Sequence, residues 1–311
     1  MINSVRNAVL SILNKNNYGY VSPSDFNLWA KNAQMEVFDE YFSKYNMTIN
    51  YENARTSGTG YANASKGYEE MIEVFSVTNF LSNFNDNYYY LPSLTTTGDD
   101  YYLINKVLCY PTLLASGANT TITVNSLEDS TADFISAGIS KGDIVVNKTT
   151  ASQAYVISVV SSTVILLSSD IFTALPNDYS IFDKDYVNEA EKVSHSKITM
   201  LNSSLLTKPS NMFPAYTQEG DLLQVFPDTI LTYGQVQAQY IRYPKVPKWT
   251  YVTLLSGEPS FDQTQPDYQD FEVPLDDETI LISKILSYAG ISIREGDAYQ
   301  YSKTEENQDN K

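Results

Sequence analysis

The chain carries one histidine, His195, and one cysteine, Cys109, beside 37 aspartates and glutamates. Chemistry near neutral pH mostly draws on a group titrating near 7, a thiolate, or a metal held by imidazole or sulfur. His195 stands between Ser194 and Ser196, and as a general base it would need a nucleophile and an orienting carboxylate from elsewhere. No motif marks either. Cys109 lies in an apolar stretch and reads as a small core residue. Carboxylates gather at Asp99-Asp100, Glu128-Asp129 and Asp276-Asp277-Glu278, none with the spacing of a calcium loop. A glycosidase-like pair depends on a separation in space that sequence does not report. Gly58, Gly60 and Gly67 lack the strand before and helix after that a dinucleotide fingerprint needs, and no phosphate loop ends in Gly-Lys-Ser/Thr. The expectation is a protein with no catalytic residue, no cofactor and no metal, hence not an enzyme.

What the composition supplies instead is contact surface. Of 311 residues 25 are tyrosine, which combines apolar area with a polar tip and is enriched at protein–protein interfaces. Only 18% are charged, and Asn, Ser, Thr and Tyr make up the difference, as in wet, hydrogen-bonded interfaces. The formal net charge of -17, with arginine only at positions 6, 55, 242 and 294, disfavours tight nucleic-acid binding. The lone Cys109 forms no internal disulfide. The apolar run Ala8–Leu13 is too short for a secretory signal, and no stretch reaches the ~18 apolar residues of a membrane span. A soluble protein made in the cytosol, with no membrane partner, is expected.

Elements to position these residues follow from periodicity. Ile2, Val5, Val9, Ile12 and Leu13 predict a helix over 2–15. Ser22-Pro23-Ser24-Asp25 is a helix start, and Phe26 to Tyr45 carries a wide apolar stripe, so a second helix spans 23–45. Residues 46–67, with Ser57-Gly58-Thr59-Gly60, read as a long polar loop. Strands are expected within Val74–Phe84, at Tyr88-Tyr89-Tyr90 and over Tyr101–Tyr110.

Residues 111–183 change character, with short apolar runs at Thr120–Val124, Ile144–Val146, Ala154–Val160, Val164–Leu167 and Tyr179–Phe182 between turn residues. This pattern reads as a small β-barrel or sandwich inserted into the body. A helix is expected over Val187–Leu206, with Val193, Ile198, Leu201 and Leu205 on its apolar face. Leu222–Phe226 and Val236–Tyr243 read as a strand pair around Pro227-Asp228. A proline-marked arm around Trp249 and a last helix over Asp276–Ile293 follow, then a polar tail at 303–311. The fold class is α+β: a helical body with antiparallel strands (1–110 and 184–302), an inserted β domain (111–183) and the tail.

Three separated segments resemble the head-to-tail adaptor (connector or ring) proteins of short-tailed bacteriophages, particularly the crAss-like group. The first runs from Asn17-Tyr18-Gly19-Tyr20 through Ser22-Pro23-Ser24-Asp25-Phe26 to Val37-Phe38. The second runs from Glu189-Ala190-Glu191-Lys192-Val193 to Lys208-Pro209 and Phe213-Pro214-Ala215-Tyr216. The third joins Val225-Phe226-Pro227, Tyr240-Ile241-Arg242-Tyr243-Pro244, Pro247-Lys248-Trp249 and Asp270-Phe271-Glu272-Val273-Pro274. The resemblance implies a virion protein at the portal vertex. It would form a homo-oligomeric ring, commonly of twelve copies, that binds the portal and downstream tail proteins. DNA would pass through its channel without sequence-specific binding. The alternatives are a tail module that binds a receptor or carbohydrate through exposed Tyr and Trp, and a tail hydrolase using paired carboxylates.

Overall fold

The computed structural model describes residues 1–14, 21–54, 64–150, 152–231, 233–255 and 257–293. The expected tail at 303–311 and the Ser57-Gly58-Thr59-Gly60 stretch lie outside them. The fold is α+β, with several antiparallel sheets, one of them curled into a half-barrel, and five helices among the described residues. These helices are α1 (Ile2–Asn14), α2 (Pro23–Ala54), α3 (Ala64–Glu73), α4 (His195–Asn202) and α5 (Glu278–Ile293). The chain divides into two compact units, one of residues 1–75 and 243–311, the other of 76–242.

In the first unit, α1 buries Ile2, Val5, Val9 and Leu13 at helical spacing. Ile12, which the periodicity assigns to the same stripe, is exposed. At the start of α2 the Ser22 hydroxyl accepts the Asp25 amide at 3.1 Å and donates to its carboxylate at 2.6 Å. The helix buries Phe26, Ala30, Ala33, Gln34, Val37, Phe38 and Tyr41. It runs on to Ala54, nine residues past the expected end. Residues 46–54 are polar but hold no glycine or proline, so nothing stops the backbone ladder there. The long polar loop expected over 46–67 is therefore helical at both ends. α5 packs on α1 and α2 through Leu281, Ile285, Leu286 and Ala289, with a single 3-10 turn at Leu275–Asp277 ahead of it.

The second unit is built from three sheets. The four-stranded sheet holds β1 (Ser76–Phe80), β4 (Tyr101–Cys109), β11 (Asn188–Glu189) and β15 (Val236–Arg242) in the order β1-β15-β4-β11. The five-stranded sheet holds β2 (Asn83–Asn85), β3 (Tyr88–Tyr90), β12 (Glu191–Lys192), β13 (Ala215–Glu219) and β14 (Leu222–Phe226) in the order β12-β13-β14-β3-β2. Leu223 and Val225 from one sheet and Val107, Cys109, Val236, Ala238 and Tyr240 from the other share one core. The six-stranded sheet orders β5 (Leu113–Ala118), β6 (Ser126–Glu128), β7 (Ile144–Asn147), β8 (Ser152–Ser161), β9 (Val164–Leu167) and β10 (Asp178–Phe182) as β5-β10-β7-β8-β9-β6. It encloses its own core around Phe134, Val145, Ile165, Phe172 and Ile181. Ile144, Val146 and Phe182 also pack against Phe80 and Tyr110, which ties this sheet to the rest of the unit. Gly234, at φ +89°, sits where a Cβ would lie 2.9 Å from the Phe182 ring.

Three expectations are corrected here. Leu222–Phe226 and Val236–Tyr243 are strands but not partners: β14 pairs with β13 and β3, β15 with β1 and β4, and the two meet only through core side chains. The helix expected over Val187–Leu206 shrinks to α4. Residues 188–189 pair with Leu108 and Cys109, and 191–192 with Ala215 and Tyr216, so ladder partners far along the chain claim them. Leu205, assigned to an apolar helix face, is exposed. Thr120–Val124 forms no strand beyond an isolated bridge from Thr121 to Glu128, and the neighbouring strand is β5.

Candidate functional site

The residues with reactive side chains stay apart. Cys109 is buried in β4, and burial pushes its thiol up to about 12, so no thiolate forms near neutral pH. His195 opens α4 on the surface, its Nε2 3.2 Å from the Gln218 carbonyl oxygen, to which a protonated Nε2 donates. The neighbouring Ser194 and Ser196 hydroxyls lie 3.3 Å from each other.

Each carboxylate pair is engaged in holding backbone or a neighbouring side chain. Asp99 lies 3.9 Å from the Arg242 Nε, and Asp100 accepts the Leu94 amide at 2.7 Å. Asp129 accepts the Thr131 amide and hydroxyl on one oxygen and the Tyr179 hydroxyl, at 2.8 Å, on the other. Burial alone would raise the Asp129 carboxyl, but these hydrogen bonds outweigh it and hold it below the usual range. Asp277 accepts the Tyr41 hydroxyl, and burial raises that phenol, with the carboxylate raising it further. Among the described residues no group of three or more His, Cys, Asp or Glu is placed to hold a metal ion.

The tyrosines divide between two uses. Tyr41, Tyr89, Tyr110, Tyr179, Tyr216 and Tyr240 are core residues. The hydroxyls of Tyr41, Tyr110, Tyr179 and Tyr240 have side-chain partners, as with Tyr110 and Gln237 at 2.9 Å. Tyr102, Tyr155, Tyr186, Tyr243 and Tyr251 are exposed. Composition counted both kinds as surface; which tyrosines are buried is set by the tertiary packing around each.

The first unit has one more built feature. Trp249, marked in the sequence as the centre of an extended arm, is 2% exposed. The Arg6 guanidinium lies 3.8 Å over its ring, and Tyr251 and Phe261 stack on it at 5.6 and 5.9 Å. Its Nε1 donates to Asn3 at 3.1 Å, and Asn27 brackets its backbone, accepting from its amide and donating to its carbonyl. A cleft of about 370 Å³ opens beside it, lined by Ser24, Asn27, Tyr251 and Gln265 and by the ion pair of Lys248 and Asp267. With Trp249 buried, its ring is not an exposed stacking platform.

In the second unit α4 and the segment after it leave Met200, Leu205, Leu206, Met212 and Phe213 exposed. No sequence signal marked this exposure, because Leu201 and Leu205 were read as one helix face. Comparison of the sequence with known protein families and with curated proteins finds no match to either.

Proposed function

We propose that this chain is a virion structural protein, a portal-proximal ring (adaptor) that joins a capsid portal to a tail and surrounds the DNA channel. The observation that carries the reading is how the resembling segments meet. In the first unit, the Asn27 and Gln34 side chains of the first segment hydrogen-bond the backbone of Trp249 and Glu272 of the third. In the second unit, Val193 and Ile198 of the second segment pack with Ala215 and with Phe226 of the third. Residues far apart in sequence that resemble one family thus support one another in space. A net charge of -17 suits a channel wall that repels phosphate and lets DNA slide. In this reading the 111–183 region is an inserted β domain facing outward or toward the next tail component, and the ring's repeated contact is heterologous.

The test is to mix the purified chain with portal-bearing particles of short-tailed phages and image them by electron microscopy. A rotationally symmetric layer added beneath the portal is expected. Failure to add one to any portal, or absence of the chain from mature virions, overturns the proposal.

A further inference from the structure

We propose that the segment Met200–Phe213 is the surface by which one copy of this chain grips a second copy, through carboxylates that the second copy presents. The inference rests on the ring reading and adds to it a named contact. Five of the eight large apolar side chains that are at least 70% exposed among the described residues fall in these fourteen positions. Leu205 and Leu206 are 96% and 97% exposed.

The display is fixed by its own hydrogen bonds. The Thr207 and Lys208 amides donate to the Ser204 carbonyl at 3.2 and 3.0 Å, and the Thr207 hydroxyl donates to the Leu201 carbonyl at 3.1 Å. Ser210 and Phe213 exchange backbone bonds. Asn211 is held from two sides: its carbonyl accepts from Asn188 at 2.7 Å, and its side-chain oxygen accepts from Thr229 at 2.8 Å. A loop already ordered loses little freedom when it is covered. Methionine and phenylalanine are residue types enriched at protein–protein interfaces.

Charge points to the occupant. From Lys192 to Gln218 the chain has no Asp or Glu, but it has Lys192, Lys197, Lys208 and His195. Two copies at -17 repel each other over most approaches, and an apolar surface flanked by lysines is where a second copy's carboxylates are attracted instead. The Lys197–Glu191 pair, at 3.3 Å between side chains more than half exposed, is weak enough to exchange for an intermolecular partner. Lysines facing lysines would oppose a two-fold contact of this segment with itself. The contact is therefore head to tail.

The experiment compares the wild-type chain with a double variant, Leu205→Asp with Leu206→Asp, and with a charge-reversed one, Lys197→Glu with Lys208→Glu. Sedimentation velocity is run across concentration and salt. Carbodiimide coupling of mixed light and ¹⁵N-labelled copies is read by mass spectrometry. The wild-type chain is expected to form species larger than the monomer, weakened by salt, with Lys197 or Lys208 coupled to carboxylates of the other isotope. The leucine variant should remain monomeric with unchanged circular dichroism and melting, because it alters only exposed side chains; the lysine variant should lose association at low salt. A wild-type chain that stays monomeric throughout, or a leucine variant that associates as well as wild type, overturns the proposal. So does binding of the wild-type monomer, but not the leucine variant, to phosphatidylserine vesicles, which would assign the surface to a membrane. If wild type and leucine variant add the same layer to portals, the ring reading stands and this surface falls. If wild type self-associates through the loop yet adds no layer, the surface stands and the ring reading falls.

Discussion

The described residues of the arm at 243–274 and the six-stranded sheet are held in place by different groups. The sheet is held by main-chain ladders, β10 bonding to β5 on one side and β7 on the other, over a core of buried aliphatic and aromatic side chains. Among the described residues the arm has a ladder where β16 (Tyr251–Thr253) meets β17 (Pro259–Phe261), and one antiparallel bridge between Lys248 and Gln269. Beside these, two side chains of α2 stand in for neighbouring strands. Asn27 and Gln34 each accept one backbone amide and donate to one carbonyl of the arm, as a strand partner would. Stability in the sheet is shared among many equivalent bonds, whereas in the arm a few side chains carry it. Single substitutions should therefore act cooperatively in one region and locally in the other.

The largest effect should come from Trp249→Ala. Removing a fully buried indole costs about 3–5 kcal/mol, and here it also strips the Arg6 guanidinium and two stacked rings of their common partner. Hydrogen exchange should show the Lys245, Trp249 and Glu272 amides losing protection before those of β7 and β10. Uniform loss of protection across both regions would break the comparison.

Gln34→Ala is the sharper, smaller version. It deletes no large side chain but leaves the Lys245 carbonyl and the Glu272 amide without the partners that Gln34 gives them. The expected cost is about 1–3 kcal/mol, with faster exchange at Glu272. Gln34→Glu should recover acceptance from the Glu272 amide but not donation to Lys245, so its exchange pattern should split the bracket into halves.

These brackets also mark the limit of what the sequence made legible. The start of α2 was readable because Ser22, Pro23 and Asp25 act within one turn, and α5 because its start and stripe are local. The end of α2 was missed because asparagine-rich composition resembles a loop, although only glycine or proline would have broken the ladder. Strands of two residues such as β11 and β12 are too short to show a period, and they exist only because β4 and β13 come to them. The two uses of tyrosine, the burial of Trp249 and the exposure of Leu205 and Leu206 depend on which surfaces meet, which no local pattern encodes. The scattering of the carboxylate pairs was likewise invisible in sequence.

Alkaline titration tests the helical side of the first unit. Lys284, on α5, is buried between Glu40 at 2.5 Å and Glu36 at 3.2 Å on α2. Burial alone would lower its ammonium, but the hydrogen bonds and charges of Glu40 and then Glu36 prevail and raise it. A folded-state value above the unfolded one means the contribution is complete below about pH 10.4 and fades as pH rises through the folded value. Wild type should thus lose melting temperature above that pH, as it will also from its buried tyrosines. Lys284→Met should show a shallower decline at Lys284-dependent pH. An identical slope in both proteins would mean that the ion pairs do not link α2 to α5.

The smallest effect is expected in the sheet. Ile181 is fully buried in β10, between Ala115 of β5 and Val145 of β7 in register, so its backbone bonds survive any change of side chain. Ile181→Val removes one methylene and should cost about 1 kcal/mol. Because the ladder on both sides is intact, the loss should appear as a lower global stability with the order of amide protection unchanged. If β10 instead opened by itself, as the arm is expected to do after loss of Trp249, the six-stranded sheet would be held by individual side chains after all. The contrast between the two regions would then lie in size alone and not in the kind of bond.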